Sequence, residues 1–218
     1  MNKAMLEEMG LHPVWKLRRA EEAPAEACVA TMGWDELEAA IASCIKCPLH
    51  KGRNRVVVGA GKKKADWLFI GEAPGAEEDM KGEPFVGQAG KLLDNMLASI
   101  GLSRQKNVYI ANTVKCRPPG NRNPEPAEMA ACRPYLSRQI ELVEPKLIVL
   151  LGRIAAQSVL DSDEPIAALR KKRHSYGGIP AVVTYHPAYL LRNMDDKAKA
   201  WEDLCHARRL MKELDPLS

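Results

Sequence analysis

A chain of 218 residues with 46% apolar residues suits one α/β domain with extensions, or at most two small domains, and can bury a core without staples. No apolar run approaches the ~18 residues of a membrane span and no apolar signal core is visible, so no membrane partner is expected and the cytoplasm is the default location. The net charge of +4 is too mild to prove a nucleic-acid partner, although basic residues cluster at 51–55, 62–64 and 170–174, runs that suit solvated loops equally well.

Residues 1–32 read as an N-terminal extension and 33–218 as the domain. A short helix is predicted over 1–10, with Met5, Leu6 and Met9 on one face. The Ala/Glu/Pro-rich stretch 20–27 reads as a linker. Between them, Trp15 stands among apolar and basic residues, the composition of a short peptide that docks on another protein. The segment loosely resembles the N-terminal segment of the psi subunit of the bacterial clamp loader. A replication or repair protein is therefore a candidate partner, and a disordered tail is the alternative reading.

An amphipathic helix is predicted over 34–45, with Leu37, Ala40, Ile41 and Cys44 on one side. It ends in Cys44-Ile45-Lys46-Cys47-Pro48. Val56-Val57-Val58-Gly59 reads as a short strand or extended run. Residues 65–70 form the first core strand, which enters Gly71-Glu72-Ala73-Pro74-Gly75 and then Gly82-Glu83-Pro84-Phe85-Val86-Gly87. A helix over 92–100 places Leu93, Met96, Leu97 and Ile100 for burial, and Gly101 stands where a C-cap glycine belongs.

Residues 107–112 form the second core strand, followed by a proline-rich basic loop over 113–124. A helix follows over 125–143, with Pro126 in its first turn and Pro134 expected to break or kink it. The run 146–152 is typical of a buried parallel strand. A short helix covers 153–160. The fourth strand, 179–185, ends at His186-Pro187-Ala188-Tyr189-Leu190-Leu191-Arg192, and an amphipathic helix over 196–214 closes the chain.

Four core strands alternating with helices predict a three-layer α/β fold, a central four-stranded parallel sheet flanked by helices. Three strands end in loops of distinctive chemistry, carrying Glu72 and Phe85, then Asn112, then His186. Carboxyl ends of parallel strands share one edge, where open sheets build their sites. Glycines there let the backbone approach a flat or anionic ligand.

Six cysteines in a presumed cytosolic chain do not suggest a disulfide framework. Cys44 and Cys47 form a CxxC turn, and fifteen residues separate Cys116 from Cys132. The four make a candidate thiolate site suited to zinc or to an iron–sulfur cluster. Cys28 and Cys205 read as ordinary thiols.

Together these motifs resemble the family 4 uracil-DNA glycosylases, the iron–sulfur-containing branch of the uracil-DNA glycosylase superfamily, over residues 34–214. The resemblance is carried by Gly71-Glu72-Ala73-Pro74-Gly75, Gly82-Glu83-Pro84-Phe85-Val86-Gly87, Ala111-Asn112-Thr113-Val114-Lys115-Cys116-Arg117-Pro118-Pro119, His186-Pro187-Ala188-Tyr189-Leu190-Leu191-Arg192 and the four cysteines. It implies a monofunctional enzyme that flips deoxyuridine out of DNA and hydrolyses the N-glycosidic bond, initiating base excision repair; a monomer is expected. It also implies a [4Fe–4S] cluster rather than zinc on Cys44, Cys47, Cys116 and Cys132. The alternative is a cluster- or zinc-stabilised nucleic-acid-binding module without catalysis.

The resemblance gives each motif a role that its chemistry fits. Gly71, Glu72 and Ala73 shape the pocket around uracil O2, and Phe85 stacks on the base. Asn112 accepts from uracil N3–H and donates to O4, a pattern that cytosine reverses. His186 donates to O2 and stabilises the anion formed on cleavage. The best-known uracil-DNA glycosylases carry a water-positioning aspartate where this chain has Ala73. Glu72, Glu78 and Asp79 are the candidates to replace it, and Glu72 and His186 are the expected catalytic residues. Leu190 and Leu191, with Tyr189, are candidate wedges, and Arg192, Arg117 and Arg122 candidate phosphate contacts. The basic run ending at His174 invites comparison with a branch that captures uracil covalently through a histidine. It lies well after the third strand, however, and the chain keeps Cys116-Arg117-Pro118-Pro119.

Overall fold

The computed structural model describes residues 29–215. The expected 1–10 helix, the Trp15 peptide, the linker and Cys28 lie outside the described residues.

In chain order the elements are α1 (Trp34–Ala42), β1 (Ala60–Gly61), β2 (Trp67–Gly71), α2 (Ala76–Lys81), α3 (Gln88–Ser99), β3 (Val108–Asn112), α4 (Pro126–Val143), β4 (Leu147–Leu151), α5 (Arg153–Leu160), α6 (Ile166–Leu169), β5 (His174–Tyr176), β6 (Ile179–Thr184), α7 (Pro187–Leu190) and α8 (Lys197–Leu214). The strands form one sheet in the order β1-β3-β2-β4-β6-β5. The expected four parallel strands are its centre. The sheet is mixed because short antiparallel strands close both edges, β1 on β3 and β5 on β6. β5 and β6 form a hairpin through Gly177 and Gly178, both at positive φ (56° and 85°), as a two-residue turn that matches strand twist requires. Val56-Val57-Val58 does not enter the sheet as a strand; the Val57 N–H instead donates to the Lys115 carbonyl at 2.9 Å.

Every residue of β2, β3 and β4 is buried, as expected of parallel strands covered on both faces. Trp67, Phe69, Val108, Ile110, Val149 and Leu151 pack with side chains of α3 and α8. On the other face Leu68, Ile70, Tyr109, Ile148 and Leu150 pack with α4 and α5. Each such side chain contributes about 1.5–3 kcal/mol on burial. A third cluster joins Leu37 and Ile41 of α1 to Val114, Cys116, Cys132 and Tyr135.

α4 continues through Pro134, contrary to the expected break. Pro134 is exposed, so its missing N–H leaves a carbonyl on the solvent side, where water can satisfy it. α3 begins four residues earlier than its apolar spacing indicated. It ends as expected, with Gly101 at φ 82° and the Leu102 N–H donating to the Leu97 carbonyl at 2.9 Å. Among the described residues no helix is long and apolar enough to cross a membrane.

Candidate active site

Register brings the distinctive loops together. Gly71 pairs with Asn112 at the ends of β2 and β3, and Leu151 with Thr184 at the ends of β4 and β6. Hydrogen bonds prolong the β2–β3 junction: Thr113 N–H donates to the Gly71 carbonyl at 3.0 Å and Thr113 Oγ1 to the Glu72 carbonyl at 2.6 Å. Glu72, Asn112, Gly152 and His186 therefore meet at one edge, around a pocket of about 780 Å³. That volume accommodates a nucleoside with an open mouth.

Gly71 is the floor. A Cβ there would stand 2.5 Å from Asn112 Oδ1 and 2.6 Å from Phe85 Cζ. Phe85 sits at φ 55°, an uncommon conformation for a bulky residue. Its carbonyl packs where a Cβ on Gly90 would be, and Arg104 donates to it and, at 2.7 Å, to the Pro84 carbonyl. Glu78 joins the two glycine-rich loops. One oxygen accepts from Gly75 N–H at 3.1 Å, the other from Val86 and Gly87 N–H at 2.9 and 3.1 Å.

Asp79 is fully buried. It accepts from Asn54 N–H at 2.9 Å and from the Asn54 amide at 2.5 Å, stapling the 53–55 segment. Asp79 does not line the pocket, which corrects its candidacy for holding water. Glu78 lines it but is committed to backbone amides. Glu72 also lines it. Burial raises its carboxyl above the usual range, and the Arg153 guanidinium pulls it back.

Asn112 is buried, and its Oδ1 has no partner in the protein. Such an acceptor is costly unless a ligand completes it. Across the pocket His186 caps α7, its Nδ1 accepting from Ala188 N–H at 3.1 Å. That bond leaves the ring proton on Nε2. Burial, with the positive charge of Arg192, pushes His186 down to about 4, so the ring is neutral at pH 7 and still a donor. The Phe85 and His186 rings lie 5.5 Å apart between centroids. Gly152, at φ 91°, makes room for His186: a Cβ would stand 2.8 Å from the His186 Cβ.

The expected DNA contacts divide. Leu190 is 1% exposed and belongs to the core, so it is not a wedge. Leu191 is 42% exposed. Tyr189 lines the pocket, stacks on Tyr185 at 5.2 Å and donates to Asp196 at 2.6 Å. Arg192 and Arg122 line the pocket, Arg122 held by Glu128 through bonds of 2.9 and 2.7 Å. Arg117 stands outside the lining and donates to Asn121 Oδ1 at 2.7 Å. Arg153, not anticipated, joins the lining; its place directly after a strand-ending glycine was the available signal. Of the 170–174 run, Arg170 pairs with Asp203 at 2.6 and 2.9 Å and lies 4.6 Å from the Tyr185 ring centroid. His174 Nε2 contacts the Leu169 carbonyl at 2.7 Å, away from the pocket.

Cys44, Cys47, Cys116 and Cys132 all line a second pocket. Arg53 reaches in, donating to Cys116 Sγ at 3.2 Å and to the Cys44 carbonyl at 2.9 Å. Burial pushes the Cys132 thiol up to about 11, the Lys115 ammonium being the strongest opposing influence. Among the described residues no three His, Cys, Asp or Glu side chains converge as a single-ion site. Cys205 is free and does not line this pocket.

A three-layer α/β domain that sets an aromatic ring, an unpaired carboxamide oxygen and a neutral N–H-donating histidine beside arginines is built as a nucleobase-binding enzyme domain. Residues 58–205 match the model of the Uracil DNA glycosylase superfamily. The chain is 48% identical over 165 residues to the type-4 uracil-DNA glycosylase of Archaeoglobus fulgidus, covering 72% of this chain and 82% of that protein. It is 42% identical over 179 residues to the type-4 uracil-DNA glycosylase of Thermotoga maritima, covering 79% and 92%. The type-5 uracil-DNA glycosylase of Thermus thermophilus is 34% identical over 155 residues, covering 61% and 68%. The chain belongs to the uracil-DNA glycosylase superfamily, and within it to the type-4 enzymes.

Proposed function

We propose that this protein is a monofunctional DNA glycosylase that flips deoxyuridine out of DNA and hydrolyses its N-glycosidic bond, releasing uracil and leaving an abasic site. The single observation that carries the reading is the unpaired, buried Asn112 Oδ1, set with Phe85 over Gly71 in a residue that lines the same pocket as the His186 donor.

In this reading the extruded base stacks on Phe85. Asn112 Oδ1 accepts from N3–H, and its amide donates to O4. Cytosine would present a lone pair to Oδ1 and an amino group to the amide, leaving buried groups unpaired. As the C1′–N1 bond breaks, its electron pair stays with the base and spreads onto O2. His186 Nε2–H, neutral and fixed by the Ala188 amide, donates there. A pre-set donor of this kind typically contributes about 10²–10³ in rate. Water then bonds to C1′ and gives up a proton. Glu72 is the favoured group to orient it, because Glu78 and Asp79 are engaged by backbone amides. Its raised carboxyl range also brings it nearer to a general base's working pKa. Arg122, Arg153 and Arg192, rimming the pocket, meet flanking phosphates, and Leu191 enters the gap left by the flipped nucleotide.

Cys44, Cys47, Cys116 and Cys132 are read as ligands of a [4Fe–4S] cluster. Four thiols around one pocket, with Arg53 donating to a sulfur, can hold either a zinc ion or a cluster, and the likeness to the type-4 enzymes supports the cluster. When bound, the cluster supplies metal–thiolate cross-links between the 44–47 turn and the 116–132 segment.

The test is uracil release from an end-labelled oligonucleotide with one deoxyuridine, read after alkaline cleavage beside its thymidine control. Cleavage confined to the uracil strand is expected. No cleavage by iron-loaded protein overturns the assignment.

A further inference from the structure

Arg104 stands between α3 and β3, in a turn closed by the Lys106 N–H on the Ser103 carbonyl at 3.0 Å. Its side chain is 12% exposed and does not line the pocket. Nε donates to Asp94 of α3 at 2.5 Å, Nη1 to the Pro84 carbonyl at 2.7 Å and Nη2 to the Phe85 carbonyl. A guanidinium presents its donors in a rigid planar fork, so this one side chain spans two successive carbonyls of the loop that carries Phe85. The Phe85 carbonyl also lies close against α3: a Cβ on Gly90 would stand 1.7 Å from its oxygen.

The loop needs such a grip. Phe85 stands at φ 55°, a backbone conformation that a bulky L residue keeps only where its surroundings hold it. That backbone aims the ring. Cζ lies 2.6 Å from the point where a Cβ on Gly71 would stand, and the ring centroid lies 5.5 Å from that of His186. A return to negative φ would carry the ring away from both.

We propose that Arg104 is a positioning residue for uracil capture: its fork on the Pro84 and Phe85 carbonyls holds Phe85 in the left-handed conformation that sets the stacking ring before the base arrives. The proposal deepens the uracil reading above and rests on it. Asp94 orients the fork, and Gly90 admits the carbonyl that it grips. A ring already in place needs no ordering when the base enters. The role is one of shape rather than charge, since an ammonium is a point donor without the fixed fork.

The test is a double-mutant cycle on the full iron-loaded chain, read as kcat/KM for excision from a duplex with a single deoxyuridine. Arg104→Met is expected to lower kcat/KM about tenfold, the scale of one base–aromatic stack, while iron content and affinity for the matching thymidine duplex stay at wild-type levels. In a Phe85→Ala background the same change is expected to have less than about a twofold effect, because the ring it positions is gone. Arg104→Lys, which keeps charge and bulk but not the fork, is the second variant and is expected to show a smaller loss of the same kind. Urea midpoints identify the variants that fold. A folded Arg104→Met or Arg104→Lys with the wild-type kcat/KM overturns the proposal. So does a loss of equal size with and without the Phe85 ring, the result that a merely structural role would give. Wild-type uracil release is measured first; its absence rejects the uracil reading itself, and the positioning role with it.

Discussion

Asn112 Oδ1 lies 2.5 Å from the point where a Cβ on Gly71 would stand. Phe85 Cζ lies 2.6 Å from the same point. The two groups read as base-contacting share one floor, and a single added methyl displaces both. Gly71→Ala should therefore lower uracil excision by about 10²-fold or more, the scale expected when reacting groups shift by ~1 Å. Single-turnover excision checks this, and wild-type rates would refute the shared floor.

His186 gives a pH signature. Its pKa is pushed down from the usual histidine value of 6.5 to about 4, so between these values the unfolded chain binds more protons than the folded one. Stability from this group is complete above pH ~6.5 and is lost as pH falls toward ~4, by about 3 kcal/mol. Urea midpoints at pH 7 and 4.5 should fall further for the wild type than for His186→Gln. His186→Ala should also slow excision about 10²–10³-fold while DNA binding holds. An inflection in excision rate near pH 6.5 that His186→Gln abolished would contradict the neutral donor.

Leu190 and Leu191 are adjacent but separable. Leu190 is 1% exposed and Leu191 42%. Leu190→Ala should cost about 2–5 kcal/mol of stability. Leu191→Ala should change stability by less than about 0.5 kcal/mol and instead weaken excision from duplex more than from single-stranded DNA. Thermal melts and paired excision assays separate the two.

Cys116→Ser tests the thiol site directly. Cys116 lines it and accepts from Arg53 at 3.2 Å. The variant should lose the brown chromophore and bound iron, measured by absorbance and iron analysis. Retained iron at the wild-type ratio would remove Cys116 from the ligand set.

The amino-acid sequence by itself determined the four parallel strands, because an unbroken apolar run such as 146–152 is stable only between two covered faces. It also marked the loops that meet around the pocket, since glycine, proline and histidine at strand ends leave short-range marks. The β5–β6 hairpin, whose β5 lies outside the four expected strands, had its short-range signal in Gly177-Gly178. Only the tertiary structure decided which of two neighbouring leucines is buried, that Asp79 staples Asn54 while Glu72 opens on the pocket, and that Pro134 sits harmlessly on a solvent-facing turn. It alone paired Arg170 with Asp203 and set Lys115 between Asn112 and the thiols. Periodicity and turn chemistry act over a few residues. The burial of a side chain and the partner of a charge depend on segments that only the folded chain brings together.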